Sequence, residues 1–150
     1  MLPHKPRDHR EFDTASGKAE FLAGEVPPID VPAGRLLLQT IRSHDQFNTT
    51  VYGHADRYRG ISGDRRVVLV SPVDLDELGL REGQVVDVVS EFEGTERRAE
   101  GFRLVSYPTA AGCAAAYYPE TNVLMSADHV ALRSNTPVAK ALVIRLEPTG

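Results

Sequence analysis

Apolar residues in this chain gather in short runs broken by polar turns, the pattern of many short strands rather than of long helices. Arg35 to Ile41, with Leu36-Leu37-Leu38 at its centre, predicts a first strand. Arg66-Val67-Val68-Leu69-Val70 is almost continuously apolar and predicts a strand buried on both faces. A helix follows: Ser71 can cap it, Pro72 suits its first turn, Asp74 puts a carboxylate near its positive end, and Gly79 permits a left-handed stop. Leu75 and Leu78 then face the core. Gln84 to Ser90 and Arg97 to Tyr107 predict a hairpin with Glu93-Gly94 at its tip, and Phe102 and Leu104 alternate with Arg103 and Val105. Ala114 to Tyr118 reads as a helical turn ended by Pro119, and Ala141 to Leu146 as the last strand. Thr49-Thr50-Val51-Tyr52 is a further short β-favouring segment. Strands outnumber helices, which favours a mainly β domain with short helices, closed as a barrel, over an open α/β sheet.

Residues 1–34 differ from the rest. They hold five prolines (Pro3, Pro6, Pro27, Pro28 and Pro32) among many charges and show little periodicity, so they read as an extended lead-in, with the barrel domain spanning 35–150. Ala19 to Leu22 is expected as a short strand there, with Phe12 and Phe21 pinning parts of the lead-in to the body. A start of this kind is expected in a piece of a longer chain.

The densest polar stretch directly follows the first strand: Thr40-Ile41-Arg42-Ser43-His44-Asp45-Gln46-Phe47-Asn48-Thr49. A turn needs Gly, Pro, Asn or Asp for backbone reasons, not Arg, His and Gln together. Two readings stand: a solvated loop, or a binding loop carried on a rigid strand. A second polar cluster, Glu120-Thr121-Asn122, follows Tyr117 and Tyr118, which are either core aromatics or ligand-facing ones. Lys140 is either a surface lysine or an anion contact where strand ends converge.

Composition narrows the chemistry. One hundred and fifty residues suffice for one domain with a real core. A formal net charge of −4 argues against broad nucleic-acid binding while permitting a local basic pocket. No apolar run approaches a membrane span, the N-terminus lacks a signal core, and a single cysteine, Cys113, weakly favours a reducing, cytoplasmic setting. Cys113, in a small apolar setting, is either a buried inert thiol or a reactive one, and nothing cationic nearby in sequence activates it. There is no G-x-S-x-G elbow, no phosphate loop and no paired-histidine metal motif, so no metal ligand is assigned. His44 beside Asp45 is either a general-base pair or, as in most polar loops, a hydrogen-bonding device. Arg42 offers a planar fork for phosphate or carboxylate, and Gln46, Asn48 and Asn122 match the polar edges of a heterocycle.

Three segments carry a family resemblance. Leu36 to Thr50, Asp74 to Gly83 and Ala116 to Leu124, with the lead-in Phe12 to Phe21, resemble the C-terminal domain of molybdopterin-dependent oxidoreductases, and most nearly formate dehydrogenase-like α subunits. The resemblance spans about residues 11–147 and implies a double-psi β-barrel that binds molybdopterin guanine dinucleotide, in a molybdenum or tungsten form, within a full-length protein. Thr40, Arg42, Ser43, His44 and Gln46 match the loop that contacts the dinucleotide, with Asn48 in the same string. Asn122 matches a position near the pterin, Tyr118 adjoins that segment, and Lys140 falls in the late segment that closes over the cofactor. The metal ligand and iron–sulfur cysteines of the family lie in upstream domains, so the resemblance implies a piece that catalyses nothing alone and leaves open whether it keeps any cofactor. Partners implied are the upstream domains of the same subunit and, compatibly, other redox subunits. Two rivals stand beside this: a stand-alone double-psi barrel for protein interaction or substrate recognition, and a small barrel enzyme using His44 and Asp45.

Overall fold

A computed structural model describes residues 2–26, 28–47 and 53–149. It divides the chain into two compact units, Met1–Asp30 and Val31–Gly150. The first holds one helical turn, α1 (Lys5–Asp8), with His4 as its cap. Its turn at 14–17 closes when the Gly17 amide donates to the Thr14 carbonyl. The strand expected at Ala19–Leu22 is absent: that segment has no regular secondary structure and no ladder partners among the described residues. Phe21 is fully exposed.

The second unit is a closed six-stranded barrel. Its elements are β1 (Leu36–Ile41), β2 (Val67–Val70), α2 (Pro72–Glu77), β3 (Val85–Phe92), β4 (Thr95–Ser106), β5 (Cys113–Tyr117), α3 (Tyr118–Thr121) and β6 (Leu142–Pro148). The strands run round the barrel in the order β1-β5-β2-β4-β3-β6, with β6 returning to β1. The pairs β1–β5 and β2–β4 are parallel, and the other four are antiparallel. Closure removes every sheet edge and fixes where strand ends meet. This is the mainly β, double-psi type of barrel expected.

Alternation places the core. Leu36, Leu38, Val68, Val70, Val86, Val88, Phe102, Leu104 and Ile144 point inward and are buried. A smaller cluster of Ile61, Val67, Leu69 and Tyr117 lies on the opposite side of β2. On α2, the Ser71 hydroxyl accepts from the Asp74 amide, Leu75 is buried, and Gly79 ends the helix at φ 65°. At the hairpin tip, Glu93 and Gly94 both have positive φ, as a tight twisted hairpin requires.

Within the barrel, one expected element is wrong. Ala114 to Tyr118 is not a helical turn: Cys113–Tyr117 is a central strand, laddered to β1 on one side and β2 on the other. Alanine favours helices in isolation, but here Ala114 and Ala116 are small inward residues in a crowded barrel, and the ladder overrides propensity. The helix begins only at Tyr118. Thr49–Tyr52, expected as a short strand, lies outside the described residues.

Candidate functional site

β1 and β5 run parallel, so the segments following them leave the barrel at the same end. The 42–47 loop and α3 therefore become neighbours. The segment before β6 joins them there. The Thr40 amide and hydroxyl both donate to the Ala139 carbonyl, at 3.2 and 2.7 Å. The Lys140 ammonium donates in return to the Thr40 carbonyl. A bridge between Val130 and Pro137, with the Val138 amide on the His129 carbonyl at 2.9 Å, folds this segment back on itself. His129 stacks on Phe92 at 3.9 Å between ring centroids, tying it to the end of β3.

Between these pieces lies a cleft of about 600 Å³, within the size range of ligand sites. Its walls include Thr40, Arg42, Tyr118, Asn122 and Lys140. Residues expected from three separate stretches of sequence thus meet in one place. The lining carries two cationic residues, Arg42 and Lys140, and no carboxylate among the described residues, in a chain of net charge −4. Tyr118, Asn122, Ser126 and Thr136 add neutral donors and acceptors.

Ser43, His44 and Gln46 line no part of this cleft and sit behind or beside it. The Ser43 hydroxyl and the Gln46 carboxamide oxygen accept from the two terminal nitrogens of Arg65, at 2.9 and 2.8 Å. That leaves the Gln46 carboxamide N–H donors outside the Arg65 bond. His44 packs against Tyr58 with ring centroids 3.9 Å apart. Asn48 lies outside the described residues.

Sequence reasoning missed Arg65. It has no exposed surface, lies over the Tyr117 ring at 4.3 Å, and pairs with Glu120 at 3.3 Å. Next to Arg66 it looks like half of a solvated basic pair. The available signal was parity: Arg65 stands two and four residues before Val67 and Leu69, which belong to the small buried cluster. A second buried group lies alongside. Asp56 accepts from the Tyr117 hydroxyl at 2.9 Å and from Arg59 at 2.5 Å. Arg59 also donates to the Arg42 carbonyl at 3.2 Å, so the binding loop is held at its backbone. Burial would raise the Asp56 carboxyl, but the bonds from Arg59 and Tyr117 outweigh it and hold that carboxyl below its ordinary value. The Tyr117 phenol is pushed up to about 12, by burial first and then by the Asp56 carboxylate.

Cys113 is half-buried at the start of β5 and lies apart from this cleft. Among the described residues, no group of three or more His, Cys, Asp and Glu side chains stands where it could hold a metal ion. No helix there is long and apolar enough to cross a membrane.

A closed barrel with a cation-bearing cleft at converging segment ends defines a ligand-binding barrel domain. Its family follows from comparison: the chain belongs to the Molydopterin dinucleotide binding domain family, whose model matches residues 36–143. It is 56% identical over its whole length to an uncharacterized oxidoreductase of Mycobacterium tuberculosis. It is 34% identical to Protein YdeP of Escherichia coli, over 94% of the chain, and 32% identical to a nitrate reductase of Shewanella frigidimarina, over 92%. The chain spans 20%, 19% and 16% of the length of these relatives, about a fifth or less. It is a molybdopterin dinucleotide-binding domain of the kind found in oxidoreductases.

Proposed function

We propose that this domain holds molybdopterin guanine dinucleotide for a larger, formate dehydrogenase-like oxidoreductase of the cytoplasm, with the upstream domains of the same subunit as its partners. The observation that carries this reading is the cleft with Arg42 and Lys140 on its walls and no carboxylate among its described lining residues. A pyrophosphate needs that local positive charge, which the chain's overall charge does not supply. The donor set fits the rest of such a group. Tyr118 and Asn122 offer hydroxyl and carboxamide partners to a fused heterocycle.

When bound, the cofactor supplies metal-centred redox chemistry. The chain's own residues bind and orient it. Lys140, already donating to the Thr40 carbonyl, presents its charge without a large ordering cost on binding. Arg42 acts from a backbone that Arg59 holds. The formate dehydrogenase-like assignment rests on the resemblance of the string Thr40 to Thr49, and the relatives' names support the coarser reading of an oxidoreductase.

The test is Arg42→Ala in the full-length protein. Metal and pterin content are expected to fall by roughly tenfold or more, as when a charge-assisted contact is lost. The unfolding free energy of this domain is expected to stay within about 0.5 kcal/mol of wild type, because Arg42 is exposed. Undiminished metal and pterin content would count heavily against the reading.

A further inference from the structure

We propose that Arg65 is a positioning residue that locks the two walls of the cleft into one register. One wall is the 42–47 loop, carrying Arg42; the other is the α3 region, carrying Tyr118 and Asn122. Arg65 bonds Ser43 and Gln46 on the first and pairs with Glu120 on the second, while its plane lies on Tyr117, the residue from which α3 springs.

The chemistry suits a coupler. A guanidinium presents donors in a rigid planar fork, so fixing one partner fixes where the others must lie. Complete burial leaves water no means of replacing a lost partner. Arg65 is outside the cleft lining, so it acts through residues that touch the ligand. A lysine keeps the charge but loses the fork. Displacing Glu120 should therefore disturb the loop, although the Glu120 ion pair is made with Arg65 and not with the loop.

This inference deepens the ligand reading above, but its decisive test needs no ligand. Amide hydrogen exchange is measured on the 150-residue chain as wild type, Glu120→Gln, Arg65→Lys and the double variant. The reporter is the Gln46 amide, which donates to the Ser43 carbonyl at 3.1 Å. Controls are the Leu104 and Tyr107 amides of the barrel, bonded to the Gln84 and Val70 carbonyls. Glu120→Gln is expected to speed Gln46 exchange about tenfold, the effect of losing one buried ion pair that steadies the guanidinium, with the controls unchanged. Arg65→Lys should do the same, and the double variant should add little, since both break one linkage. Gln46 exchange untouched by Glu120→Gln, or fully additive effects, would overturn the coupling.

A parallel titration of the full-length protein, purified free of its cofactor, uses GDP as the probe. Wild-type binding that weakens about tenfold in Arg65→Lys is the expected result. Absence of GDP binding to a folded wild type would refute the ligand reading while leaving the exchange result to decide the coupling.

Discussion

Tyr117→Phe tests the buried network beneath the binding loop. Tyr117 has no exposed surface and donates to Asp56 at 2.9 Å. Its phenol is raised from 10.0 to about 12, because burial and the adjacent carboxylate both disfavour a phenolate, and Arg59 only partly offsets them. Below pH 10 the folded and unfolded states are both protonated, and the hydroxyl contributes its full stabilisation. Between about pH 10 and 12 the unfolded chain releases this proton while the folded chain keeps it, so stability falls as pH rises. Two units correspond to about 3 kcal/mol by the far end of that window. The assay is urea unfolding of wild type and Tyr117→Phe at neutral pH and across that alkaline range. At neutral pH the variant should be less stable by about 1–2 kcal/mol, having left Asp56 without one donor. As pH rises the gap should close and then reverse, because only wild type carries this linkage. Parallel loss of stability in the two proteins would refute the assigned environment of Tyr117.

The opposite sign is expected at acid pH. Asp56 is held below its ordinary value by Arg59 and Tyr117, so its contribution is present above about pH 4 and is lost as pH falls through its lowered value. Asp56→Asn should cost about 2–4 kcal/mol at neutral pH, leaving Arg59 poorly paired, and should flatten the acid limb of a stability–pH profile. Ser71→Ala removes the cap of α2 and should cost about 1 kcal/mol by chemical denaturation. Phe102→Ala, which opens a cavity in the centre of the barrel, should cost about 3–5 kcal/mol in the same assay.

Much of the barrel was legible because its strands are apolar runs with period two. Val67–Val70 reads as buried on both faces and is. The helix after it was legible down to its cap and its glycine stop, since capping chemistry is local. β5 was not. Its Cys113-Ala114-Ala115-Ala116-Tyr117 string favours helix, and only the distant partners on either side, β1 and β2, make it a strand. The site divides the same way. Polar density after β1 marked the loop, and Arg42, Tyr118, Asn122 and Lys140 do converge. Ser43 and Gln46 turned inward, to an arginine about twenty residues downstream whose burial only its parity with Val67 and Leu69 discloses.

The strand order explains why distant segments make one site. A parallel β1–β5 pair brings two chain exits to one end, and Thr40 clamps the segment before β6 across them. The rest of the barrel surface is different in kind. Arg145 bonds Glu91, Glu96 and Glu147, and Arg98 bonds Asp87 and Glu147, a network of paired charges on β3, β4 and β6. Such paired exposed charges satisfy one another and are weakened by salt.

The most direct measurement is pterin and nucleotide analysis of the full-length protein that carries this domain, purified from a host able to make the cofactor. The account predicts molybdenum or tungsten, an oxidised pterin derivative and GMP released on hydrolysis, in near-equal amounts and strongly reduced in Arg42→Ala. A folded full-length protein without pterin, from a host that loads other molybdoenzymes, would contradict the account.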